Sequence, residues 1–247
     1  MTAPPADIFV PPVLVVDLRG EPCVLRRDQW SPHLRRDPSR FRGVVLHQWA
    51  SHVGTEARLR AKYKGEAGAL ARRGQHAPYA ISCGVGLVTG EAVVSLAHPP
   101  ERYTYASDSA CAEFVSVGIM GRFPFEEDDR VEPRDTALTL ALFAAVNRAL
   151  SEAVAMLPGD GPWPLITHRQ SINGPRDHVL CPGEASVVLA VASSAVRDGL
   201  LVPDPDYVVL PDWGRPWPAS WRRHLNNERC APSVSSGAAT SFDSLVV

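Results

Sequence analysis

Gly43-Val44-Val45-Leu46-His47-Gln48-Trp49 opens with the consecutive apolar residues Val44, Val45 and Leu46 where a half-exposed strand would alternate apolar with polar. A run of this kind fits a strand covered on both faces. Phe114 to Met120 predicts a second strand, and Leu165-Ile166-Thr167 a short third one that delivers His168. Helical patterns alternate with these strands. Asp135 or Thr136 opens a helix to about Ala155, apolar over most of its circumference and therefore largely buried. Glu184 to Arg197, mostly Ala and Val, predicts a last core helix. Strands alternating with helices in this way predict an α/β fold, a single mixed β-sheet flanked by helices.

The remaining elements are placed by punctuation. Val13 to Val16 reads as a short strand, and Arg26 to Arg42, with Trp30, Pro32 and Pro38, as mostly loop. Thr55 is the expected N-cap of a helix from Glu56 to Arg73, which Gly65 and Gly68 weaken in its second half. Pro78 to Val88 and Glu91 to Ala97 flank Thr89-Gly90, the signature of a hairpin. The chain divides into an N-terminal arm and irregular extension (1–39), a catalytic-type domain (40–200), a proline- and tryptophan-rich strap (201–228) and a Ser/Ala/Thr-rich tail expected to be disordered (229–247).

Composition narrows the function classes. The 247 residues carry a formal net charge of −2 and are 45% hydrophobic and 21% charged. That balance gives no field to gather nucleic acid or an anionic membrane. No apolar stretch approaches the roughly 20 residues needed to span a bilayer. The first residues, Met1-Thr2-Ala3-Pro4-Pro5-Ala6-Asp7, lack a basic segment followed by an apolar one. The expectation is a product made in the cytoplasm without a signal peptide, acting there or, after release or delivery, outside the cell. Five cysteines at 23, 83, 111, 181 and 230, with no C-x-x-C spacing, argue against a disulfide framework.

Three residues stand out chemically. His47 interrupts an apolar strand, His168 follows another, and Cys181 is followed by Pro182-Gly183 just before a helix. Two imidazoles and one thiolate can hold Zn²⁺ and leave a fourth position open for water. Taken singly, His47 reads equally as a core histidine bonded to a carbonyl, and Cys181 as a buried thiol at a turn. A metal would remove the thiol proton outright.

The ordered set Gly43-Val44-Val45-Leu46-His47-Gln48, Pro78-Tyr79-Ala80-Ile81 with Thr89-Gly90, Ser116-Val117-Gly118-Ile119, and His168-Arg169-Gln170-Ser171 through Cys181-Pro182-Gly183 resembles the zinc-dependent N-acetylmuramoyl-L-alanine amidases. That family also takes in phage lysozyme-type amidases and peptidoglycan recognition proteins, and the resemblance spans roughly residues 40 to 195. It implies an amidase-like sheet, His47, His168 and Cys181 as ligands of Zn²⁺, and peptidoglycan or a muropeptide as substrate. It implies that Tyr79 lies near the attacking water or the oxyanion. Metal-assisted hydrolysis lowers the pKa of bound water from about 16 to near 7.

Two departures accompany the resemblance. Many relatives place a glutamate, the general base, directly after Ser-x-Gly-Ile, where this chain has Met120. Relatives often have a polar residue two positions before the third ligand, where this chain has Val179, with His178 three and Arg176 five positions before it. Tyr79 and His178 are therefore the expected catalytic residues. His52 is a possible cleft residue, and Glu113, Asp177 and the acidic run 126–129 read as surface charge. Two other readings follow from the same residues: a muropeptide-binding module that does not cut, and a metal-free hydrolase with Cys181 as nucleophile and His168 as base.

Overall fold

The computed structural model describes residues 11–21, 32, 35–49, 79–86, 89–104, 112–121, 123, 139–168, 181 and 183–203. Within them lie seven strands: β1 (Val13–Asp17), β2 (Gly43–Trp49), β3 (Ile81–Val85), β4 (Ala92–Leu96), β5 (Phe114–Met120), β6 (Trp163–Thr167) and β7 (Leu201–Pro203). Three helices accompany them: α1 (Leu140–Val154), α2 (Glu184–Val191) and α3 (Ser194–Arg197). One sheet holds all seven strands in the order β1-β4-β3-β5-β2-β6-β7. Only β3 and β4 pair antiparallel; the other five pairings are parallel. The expected mixed α/β sheet is therefore the observed one. The predicted helix 56–73, the acidic run 126–129, the strap beyond Pro203 and the tail lie outside the described residues.

Alternation along β2 and β5 sorts the two faces of the sheet. Val44, Leu46, Val115, Val117 and Ile119 are fully buried and join Leu142, Val146, Ala149 and Leu150 of α1 in the main core. Val45, Phe114 and Ile166 cluster separately, on the opposite face. His47, two residues beyond Val45, shares that second face. Burial on both sides explains why β2 opens with consecutive apolar residues.

Local chemistry sets the ends of the elements. Thr139 caps α1, its hydroxyl accepting from Leu142 N at 3.1 Å. In the β3–β4 hairpin Gly90, at φ +68, donates to Gly86 O at 2.8 Å and makes the turn that Thr89-Gly90 predicts. Before β2, Arg36 donates to Pro100 O and Phe114 O, both at 2.8 Å, and lies over the Phe41 ring. Those bonds tie the arginine-rich approach to the start of β5.

Two expectations are corrected. The single helix predicted over 184–197 is broken into α2 and α3, because Ser193 is extended (φ −66, ψ 156) and Asn147 of α1 accepts from both Ser194 N and Ser194 Oγ. Leu201–Pro203, read as the start of an irregular strap, is a strand paired with β6. With β1 paired to β4, the sheet draws strands from either side of residues 40–200.

Candidate metal centre

Strand register brings the two histidines together. β2 and β6 are neighbours in the sheet, with Leu46 level with Thr167, so His47 and His168 each follow the last paired residue. Both sit at the carboxyl ends of adjacent parallel strands, where open α/β sheets place their ligands. The rings lie 4.3 Å apart between centroids and are 1% and 5% exposed. Cys181, two residues before the glycine that precedes α2, completes the group. Its Sγ is 4.0 Å from His47 Nδ1, and one ligand atom from each of the three residues falls within 4.8 Å of the other two.

That spacing fits a small cation. With Zn–S near 2.3 Å and Zn–N near 2.05 Å, a tetrahedral centre separates its ligand atoms by roughly 3.3–3.6 Å. The 4.0 Å contact is within about half an ångström of that range, and with all three ligand atoms inside 4.8 Å of one another each side chain closes on an ion by about 1 Å or less. The donor set, two imidazoles and a thiol with no carboxylate, suits a borderline-soft ion.

Electrostatics bears on the state of the Cys181 thiol. Burial pushes the Cys181 thiol up to about 11, only partly opposed by the Gln48 N–H that donates to Sγ at 3.1 Å. A thiolate nucleophile requires the opposite shift. A bound cation, by contrast, replaces the proton directly.

Tyr79 stands beside the trio. Its ring is 5.2 Å from that of His47 and 5.2 Å from that of Trp49, and its hydroxyl lies 3.5 Å from Gln48 O. Gly118, level with His47 on β5, makes room for it, since a Cβ there would sit 2.7 Å from a ring carbon of Tyr79. Ser116 Oγ accepts from Ala80 N at 3.1 Å and shares a 2.8 Å hydrogen bond with Thr104, which fixes the backbone next to Tyr79.

Met120 lies on the same face, two residues beyond Gly118. It is 3% exposed and clusters with Val16, Leu18, Val93 and Ala97, with Trp49 against it. An apolar wall thus stands at this end of β5. Glu113 is at the other end of β5, paired with Arg42 at 2.9 Å and Arg40 at 3.5 Å, in keeping with a surface charge. His178, Arg176 and His52 lie outside the described residues.

Sequence reading gave Gln48 no role. Its backbone N–H reaches the candidate ligand Cys181, and its side-chain oxygen accepts from Phe123 N at 3.3 Å. A backbone donor has no signature in residue types, so only its place next to His47 pointed toward it.

No protein-family model matches this chain, and no curated protein matches it. Among solved structures it is similar to Drosophila PGRP-LB, at 15% identity over 81% of this chain and 99% of that one, with a TM-score of 0.43. Drosophila peptidoglycan recognition protein SA matches at 15% identity over 70% and 86% of the two chains, with a TM-score of 0.42. The endolysin N-acetylmuramoyl-L-alanine amidase LysCS from Clostridium intestinale matches at 14% identity over 71% and 90%, with a TM-score of 0.38. Likeness at this level leaves the site and its chemistry to stand on the residues described above.

Proposed function

We propose that this chain is a zinc-dependent amide hydrolase whose substrate bond joins an N-acetylmuramoyl group to L-alanine in peptidoglycan or its muropeptide fragments. The observation that carries the metal part is the convergence of His47, His168 and Cys181, far apart in sequence, with ligand atoms within 4.8 Å. The substrate class rests on the ordered sequence motifs that resemble the amidases.

Zn²⁺ held by the three residues would supply a Lewis acid and lower the pKa of the water it binds to about 7. The chain's own residues do the rest. Buried His47 and His168 present their donors from the ends of two adjacent strands. Tyr79, whose ring lies beside that of His47, is the proposed donor to the carbonyl oxygen as negative charge develops there, with His178 as the second proposed donor. Trp49 packs against the apolar cluster that holds Met120 and adds an apolar group beside the Tyr79 ring.

The test is metal content together with turnover. Purified protein is expected to hold one zinc per chain, chelation to abolish release of peptide from peptidoglycan, and Cys181→Ala to lose the zinc. Tyr79→Phe is expected to keep the zinc and cut kcat by about 10²-fold. Cleavage that survives chelation, or equal zinc in wild type and Cys181→Ala, overturns the proposal.

Met120 favours a second reading, a module that grips muropeptides without cutting them. Tight muropeptide binding with no turnover at full zinc occupancy would select it.

A further inference from the structure

We infer that Gln48 is the positioning residue of this centre, setting Cys181 through both its backbone and its side chain. The inference rests on the metal reading of the site.

Gln48 is still level with Ile119 of β5, but the pairing of β2 with β6 ends at Leu46 and Thr167, so on that side the amide of Gln48 has run past the last strand pair. It bonds to sulfur instead, donating to Cys181 Sγ at 3.1 Å. Such a bond orients the thiolate lone pairs and spreads part of their charge, the usual work of an outer-shell contact at a metal site.

The side chain acts on the same segment from the other end. Gln48 Oε1 accepts from the N–H of Phe123, a residue only 2% exposed. Gly183, two residues after Cys181, is seated on that pair. A Cβ on Gly183 would lie 2.6 Å from Phe123 O and 3.1 Å from Gln48 Oε1, at a φ of +84 that side chains rarely adopt. The segment carrying the third ligand therefore closes onto a floor made by Gln48 and Phe123. Removing the amide oxygen leaves the Phe123 N–H short of an acceptor and frees that floor to shift. The distance from Sγ to His47 Nδ1 then loses its restraint.

The experiment compares wild type, Gln48→Met, which keeps length without an acceptor, Gln48→Glu, which keeps the acceptor oxygen, and Gly183→Ala, which disturbs the seat from the opposite side. Zinc affinity and the thiolate-to-cobalt charge-transfer band of the cobalt-substituted proteins are read, with thermal midpoints of the metal-free forms as the folding control. Gln48→Met and Gly183→Ala are expected to bind zinc about 10–100-fold more weakly with a diminished charge-transfer band, and Gln48→Glu to restore both. Wild-type affinity and an intact band in Gln48→Met overturn the inference, as does failure of Gln48→Glu to exceed Gln48→Met. If Gln48→Met does not fold, Gly183→Ala decides in its place. A wild type that binds no metal sinks the metal reading separately. Alkylation of Cys181 in the metal-free proteins then decides the positioning role, a faster reaction in Gln48→Met supporting it and equal rates overturning it.

Discussion

At the scale of single residues, the segment just after β4 holds a buried basic group whose charge state the fold dictates. His98 is 3% exposed, and burial, reinforced by the nearby charges of Arg102 and Arg36, pushes its pKa from 6.5 down to about 3. The sign of the consequence follows. Above 6.5 neither the folded nor the unfolded chain protonates this ring, and stability does not depend on it. As pH falls from 6.5 toward 3, the unfolded chain takes up a proton that the folded one refuses, and stability drops by about 1.4 kcal/mol per pH unit. Chelator-treated wild type is therefore expected to lose unfolding free energy more steeply over that window than His98→Asn, measured by urea denaturation at a series of pH values. Parallel slopes would show that His98 is not the responsible group.

Among the elements, the helical layer holds a junction that sequence patterning misses. Asn147 on α1 accepts from Ser194 N at 2.7 Å and Ser194 Oγ at 2.9 Å, and this is where the predicted 184–197 helix breaks. Asn147→Ala removes both bonds but gains about half a kcal/mol of helix propensity. A net loss of about 1–2 kcal/mol is expected in urea denaturation with zinc content unchanged; loss of zinc as well would mean that the junction reaches the centre. The same contrast explains what could be read in advance. β2 and β5 were legible because burial on both faces leaves them mostly apolar, and the hairpin because Thr89-Gly90 sits between two strand-like segments. The Ser193 break was hidden because Ala and Val continue the helical composition through it, and only a side chain some forty-seven positions away redirects Ser194. β7 was hidden because Leu201-Val202-Pro203 is too short for periodicity and its proline reads as a strand breaker. His47, His168 and Cys181 were legible as residue types. The role inferred for Gln48 was not, since half of it belongs to a backbone amide.

For the whole molecule, the proposed centre joins parts of the chain that lie far apart in sequence and that the sheet brings together. His47 comes from β2, His168 from the end of β6 and Cys181 from the approach to α2, so an unfolded chain offers the three donors only across long loops. Closing such loops costs entropy that the folded sheet has already met through its hydrophobic core. Zinc should thus bind the folded state far more tightly than the unfolded one and stabilise it by mass action, by about 2.7 kcal/mol at a free concentration of 100 Kd. For a chain of this size that corresponds to a rise in Tm of about 5–11 °C. The rise is expected to grow logarithmically with zinc, to reverse on chelation, and to vanish in Cys181→Ala. Calorimetry across a zinc titration checks it. An equal rise in Cys181→Ala would place the ion elsewhere, and no rise in wild type at saturating zinc would refute the metal reading altogether. Because the two histidines stand on adjacent core strands, local fraying cannot account for the effect. Zinc bound there must act on the cooperative unfolding of the sheet, so the calorimetric enthalpy should move with Tm along one heat-capacity line.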